Sequence, residues 1–187
     1  MARLPEVYKL NTHELARRAG EMKEYELDIE VPEKVGVELI NVRVGEIIEV
    51  DARLESVTEG ILITADIFAL VKGECTRCLD PIEMEIERKV QELYYYAQKP
   101  ERSKRKKERD EDDLDIEEEL MMDGDIMDLE GPIRDAIVLA LPINPLCSDQ
   151  CQGLCPDCGG KWADLPADHA HEVIDARWAG LTGLDLE

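Results

Sequence analysis

Residues 60–87 read GILITADIFALVKGECTRCLDPIEMEIE, and both ends of this stretch carry a strand-like pattern around a cysteine pair. Before the pair, residues 60–74 are rich in β-branched and aliphatic side chains. After it, Ile82, Met84 and Ile86 alternate with Glu83, Glu85 and Glu87. A period of two puts apolar residues on one face of a strand and charges on the other. Two such strands joined through Cys75-Thr76-Arg77-Cys78 make a hairpin whose turn presents both thiols on one side. That is how a zinc knuckle displays its ligands. A thioredoxin-type redox motif instead needs its first cysteine at a helix N-terminus, where the helix dipole lowers the thiol pKa.

Toward the N-terminus, Leu27, Ile29 and Val31 alternate with acids, and segments 37–44 and 46–57 carry β-branched residues with breaks at Gly45 and near Glu59-Gly60. These segments predict an antiparallel β meander. Ahead of it, Asn11 to Ala19 predicts a short helix. Asn11 or Thr12 serves as cap, Glu14 lies in the first turn, Arg17 and Arg18 lie near the end, and Gly20 stops it.

Beyond Gln98 the composition turns to charge. A basic patch of Lys104, Arg105, Lys106, Lys107 and Arg109 precedes an acidic tract from Asp110 to Glu119. Too little apolar surface is available there to offset ordering entropy, so a disordered insertion is expected over about 98–123. Ile126, Leu129, Ile133 and Ile137 then recur at helical spacing up to Leu141, with Asp125 or Asp128 as cap and Pro132 in the first turn. This predicts one buried helix ending at Pro142. The fold class is therefore α+β: an antiparallel meander packed by one buried helix, with a cysteine-rich C-terminal module. The expected division is 1–145 for the α+β domain and 146–187 for the segment docked on it.

That segment contains Cys147, Cys151, Cys155 and Cys158, followed by His169 and His171. Together with Cys75 and Cys78 these donors suffice for two tetrahedral sites. One division gives Cys75, Cys78, Cys147 and Cys151 to a first ion, and Cys155, Cys158, His169 and His171 to a second. Sites filled by protein ligands leave no position for a reacting water, so zinc here is expected to be structural. A hydrolase would need an open site and a carboxylate base, for which Glu172 is the adjacent candidate.

The 187-residue chain carries 44 acidic and 22 basic residues, a formal charge of −22. Such a field repels a phosphate backbone and attracts basic proteins. Residues 1–7 lack the apolar run of a signal peptide, and no stretch approaches the roughly 18 apolar residues of a membrane span, so a cytoplasmic location is expected. There cysteines stay reduced, which favours metal binding over disulfides.

Three stretches together carry a family resemblance: the Cys75 to Leu79 turn, the helix ending Ala140-Leu141-Pro142, and LCSDQCQGLCPDCG at 146–159 with the tail His171-Glu172 and Asp175 to Ala179. The chain resembles the YceD family, the large ribosomal RNA subunit accumulation proteins. The resemblance implies a factor for 23S rRNA accumulation and large-subunit biogenesis, with no enzymatic activity and no small-molecule substrate. The family's gene commonly neighbours that of a small basic large-subunit protein. A basic ribosomal protein or a pre-ribosomal particle is thus the expected partner.

Two alternatives remain at this point. One is direct 23S rRNA contact through Lys104 to Arg109, and the other is a thiol-disulfide oxidoreductase using Cys75 and Cys78. Tyr94, Tyr95 and Tyr96 are expected to pack at a strand end, and Trp162 and Trp178 to cover the zinc module or pack the tail. His13 reads as a surface or capping residue.

Overall fold

The computed structural model describes residues 6–97 and 119–171, together with Arg177. Among the described residues, eight strands and one helix follow a 3-10 turn at Glu6–Tyr8: β1 (Lys9–Asn11), β2 (Met22–Glu30), β3 (Val35–Gly36), β4 (Ile40–Val42), β5 (Ile47–Ser56), β6 (Gly60–Glu74), β7 (Pro81–Tyr95), β8 (Ile126–Asp128) and α1 (Glu130–Ala140). Strand β6 is the spine. It pairs antiparallel with β7 from Gly60↔Tyr95 to Glu74↔Pro81. Its other edge takes β5, from Ser56↔Ile61 to Ile48↔Ala69, and then β4 at Asn41↔Lys72 and Ile40↔Gly73. β2 extends the sheet beyond β5, and β3 extends it beyond β4.

Gly73 allows β4 to join, because a Cβ there would lie 2.3 Å from the Leu39 carbonyl oxygen. The 37–44 segment is consequently not one strand. Val37 N–H donates to the Ile40 carbonyl across a tight reversal between β3 and β4.

Period-two alternation sorts the sheet's faces. Ile48, Val50, Ala52 and Leu54 of β5 are buried, as are Ile61, Ile63, Ala65, Ile67 and Val71 of β6. Each such valine, leucine or isoleucine contributes about 1.5–3 kcal/mol when taken fully out of water. The helix places Ile133 and Ile137 into the same core, one turn apart. The Asp128 carboxylate accepts from Glu130 N–H at 3.0 Å at its start, and Leu141 turns to extended backbone before Pro142. Fold class and buried helix thus stand as read, although Ile126 belongs to β8 and not to the helix.

Two local expectations are corrected. Residues 11–19 form turns, not a helix. Asn11 pairs with Ile126, and both the backbone N–H and the hydroxyl of Thr12 donate to the Asp125 carbonyl, at 2.9 and 3.0 Å. A nine-residue helix is marginal alone, and here its cap is engaged by a residue 113 positions away. The charged insertion also ends earlier than 123. Met122 is buried, its N–H donates to the Tyr95 carbonyl at 2.9 Å, and Tyr95 N–H donates to Leu120. Residues 98–118, with the basic patch, lie outside the described residues.

Candidate metal centres

The first centre is built on the β6–β7 turn. Glu74 and Pro81 close the ladder, Cys75 N–H donates to the Asp80 carbonyl at 2.8 Å, and Leu79 N–H donates to the Cys75 carbonyl at 2.9 Å. This curl aims backbone N–H groups inward at the Cys75 sulfur. The second centre repeats the path: Leu154 pairs with Lys161, Cys155 N–H donates to Gly160 at 2.7 Å, and Gly159 N–H donates to Cys155 at 2.8 Å. Residues 75–81, CTRCLDP, and 155–161, CPDCGGK, are therefore two copies of one knuckle. In both, the residue after the second cysteine adopts positive φ. It is Gly159 in one and Leu79, at +62°, in the other.

Helix α1 delivers the remaining sulfurs of the first centre. Past Pro142 the chain bends at Ile143 and Asn144, and the Pro145 carbonyl accepts from Thr76 N–H at 2.9 Å, which holds the segment after it beside the knuckle. Cys75 and Cys151 sulfurs are then 3.8 Å apart, and Cys78 and Cys147 sulfurs 3.5 Å. All four lie within 4.8 Å of one another. A tetrahedral zinc with about 2.3 Å bonds separates its sulfurs by about 3.8 Å. The donor set fits that ion closely, and no cysteine is in a disulfide.

Cys155, Cys158, His169 and His171 form the other group, also within 4.8 Å. The Cys158 sulfur lies 3.6 Å from His169 Nε2, and the two histidine Nε2 atoms are 2.8 Å apart. Two zinc-bound nitrogens would stand roughly 3.3 Å apart, so this group is slightly contracted. Trp162 sets its ring edge-on to His169 at 5.5 Å. Both Cys/His groups can hold a metal ion. Cys75, Cys78 and Cys155 are buried, whereas Cys147, Cys158 and His171 are exposed.

The electrostatics favour thiolate at the leading cysteine of each knuckle. Burial pushes the Cys75 thiol up, but backbone N–H groups of Cys147, Cys78 and Arg77 and the Cys78 thiol outweigh it and bring it down to about 6. Cys155 is lowered chiefly by the Cys158 backbone N–H. At Cys78 the Asp80 backbone N–H pulls down, but burial and the three neighbouring thiols push the thiol well above its ordinary range. Four crowded sulfurs cannot all ionise without a cation among them.

Residues other than the candidate ligands brace the first centre and tie the two knuckles together. Lys161 pairs with Asp80, holding that carboxyl below its ordinary range, and the other Asp80 oxygen lies 3.4 Å from the Cys78 sulfur. Arg77 Nη1 donates to the Cys151 carbonyl at 2.8 Å. Gly153, at φ +81°, packs where a Cβ would lie 3.0 Å from the Arg77 carbonyl oxygen. Aligning the two knuckles places Lys161 opposite Pro81, which would have drawn attention to it.

The other singled-out residues lie away from the centres. Tyr94 is buried and donates to the Asp128 carbonyl at 2.5 Å. Tyr96 meets Ser56 Oγ at 3.1 Å and lies under the Arg17 guanidinium. His13 is exposed beside Asp125 at 3.4 Å. Glu172 and Trp178 lie outside the described residues. No described helix is long and apolar enough to cross a membrane.

The family pattern described as large ribosomal RNA subunit accumulation protein YceD matches residues 63–185, a span that takes in both knuckles and all eight candidate ligands. An uncharacterized protein of Mycobacterium tuberculosis is 40% identical over 167 residues, covering 89% of this chain and 76% of its own length. One of Mycobacterium leprae is 33% identical over 170 residues, covering 91% and 74%. No solved structure matches the chain.

Proposed function

The chain belongs to the YceD family of large ribosomal RNA subunit accumulation proteins, and on that premise we propose that it is a cytoplasmic assembly factor for the large ribosomal subunit. It promotes 23S rRNA accumulation by binding a basic ribosomal protein or an assembly intermediate. The family match over residues 63–185 carries this reading. The formal charge of −22 supports it, because such a field favours a basic partner over bare phosphate.

Zinc is the proposed ion at both centres, through Cys75, Cys78, Cys147 and Cys151 and through Cys155, Cys158, His169 and His171. Its role is to dock residues 146–187 on the α+β domain of residues 1–145. A filled tetrahedral site binds its ion without offering a coordination position to substrate. The hairpin setting and burial of Cys75 and Cys78 also argue against their attacking a disulfide.

The test is depletion in cells followed by gradient sedimentation. A falling 23S rRNA level, accumulation of large-subunit precursors and salt-sensitive co-sedimentation of the protein with those precursors are expected. Normal 23S rRNA and no co-sedimentation at low salt would sink the reading. If naked 23S rRNA binds instead, and neutralising Lys104 to Arg109 abolishes that binding, direct RNA contact takes its place.

A further inference from the structure

The sheet has two faces, and only one is covered by the core and α1. On the other, the strand register places like charges side by side. Glu26 of β2 lies opposite Asp51 of β5, and Asp51 lies opposite Asp66 of β6. In the next row Asp28 lies opposite Glu49. Along β7, Glu83, Glu85 and Glu87 project on the same side, since they alternate with the core-packed Ile82, Met84 and Ile86. Like charges directly opposite one another destabilise a sheet. Of these acids only Asp66 has an ion-pair partner among the described residues, Lys89 at 3.4 Å.

Within this field sits an apolar residue. Phe68, the chain's single phenylalanine, is half-buried on the outer face, and its cross-strand partners are Glu49 on one side and Glu87 on the other. Leu62 and Leu70, two residues from Thr64 and Phe68 respectively along β6, are half-buried on the same face. An aromatic surface flanked by carboxylates suits a side chain with an apolar stem and a cationic head. An arginine can stack on the ring and reach either acid, and a lysine can lay its methylenes along the stripe.

We propose that this outer face of the β2–β5–β6–β7 sheet is the docking surface for a lysine- and arginine-rich protein segment. The occupant is chosen by charge complementarity: the uncompensated acids reject a phosphate backbone, and the central stripe favours amphipathic cations over simple ions. The proposal deepens the assembly-factor reading by naming the surface, but its geometry stands without that reading.

The experiment uses the full chain and a fluorescent peptide of about 20 residues rich in arginine and lysine, titrated by anisotropy at about 0.05 M and 0.3 M salt. In one variant Glu26→Gln, Glu49→Gln, Asp51→Asn and Glu87→Gln are combined. Its control removes the same charge elsewhere, through Glu33→Gln, Glu59→Gln, Asp123→Asn and Asp135→Asn. The face variant should lose affinity by about tenfold or more and flatten the salt dependence, while the control shifts by less than about twofold. The face variant should also melt at least as high as the parent chain, because it removes opposed like charges; weaker binding then reflects the surface and not misfolding.

Equal losses in both variants, or no binding by the parent chain, overturn the proposal. So does a tenfold gain in peptide affinity when Lys104, Arg105, Lys106, Lys107 and Arg109 become Gln, because the chain's own basic segment would then hold the face. Binding of a single-stranded RNA oligonucleotide lost only in the face variant also overturns it. Peptide binding through the face without co-sedimentation on precursor particles sinks the assembly reading and keeps the surface; co-sedimentation unaffected by the face variant does the reverse.

Discussion

The knuckle at 75–81 and the knuckle at 155–161 follow one backbone path in different surroundings. The first caps a hairpin of two 15-residue strands, and its leading sulfur is fully buried. Its other candidate donors are Cys147 and Cys151, and Cys147 lies 69 positions after Cys78. The second is flanked by a single bridge pair and closes on His169, 11 residues after Cys158. Ordering the longer loop from an open chain costs roughly 1.5 kcal/mol more, and the packing of the hydrophobic sheet and helix, which holds its ends together, offsets that cost. The same candidate donor chemistry thus joins distant segments in one place and neighbouring ones in the other.

The largest test of that contrast is Cys75→Ser. It should lose one of two zinc ions by native mass spectrometry, lower thermal stability by several kcal/mol and open residues 142–151 to proteolysis. Two retained zinc ions at full stability would show that the first foursome is not a site. Cys158→Ser should also lose one ion, but should leave the main unfolding transition within about 1 kcal/mol, since few core side chains depend on it. A large drop in the main transition would erase the distant-versus-local distinction.

Smaller effects probe the link between the centres. Lys161→Ala leaves Asp80 unneutralised beside Cys78, so the first centre should bind zinc roughly tenfold more weakly against a competing chelator. Unchanged affinity would make the Lys161 contact incidental. Smallest of all, Leu79→Gly should stabilise by roughly 0.5–1 kcal/mol. Positive φ costs a non-glycine residue about 1–2 kcal/mol, part of which glycine's greater unfolded-state freedom takes back. Gly159→Ala should destabilise the second knuckle by a similar amount, read as weaker zinc retention.

The meander was legible because alternation records burial residue by residue. In Ile82-Glu83-Met84-Glu85-Ile86 each side chain names its face. The two candidate donor groups were legible in outline because paired cysteines with a following histidine pair leave few ways to fill two tetrahedra. Residues 11–19 misled for the opposite reason. Their capping and charge signals are local, and the partner that claims Thr12, Asp125, lies far along the chain. Composition places Met122 in the charged insertion because its neighbours are acidic, whereas in the fold its N–H donates to the Tyr95 carbonyl and its side chain is buried.

The sequence by itself determined the period of each strand, the buried stripe of α1, the family and the identity of the candidate ligands, because all of these are properties of spacing and residue type. Only the tertiary structure decided that Asp80 meets Lys161 across 81 residues, that two knuckles share one path, and that Glu26, Asp51 and Asp66 stand in a row. Those relations are fixed by strand register and by docking of the chain after α1. Register follows from packing the whole apolar face at once, so no single segment encodes it.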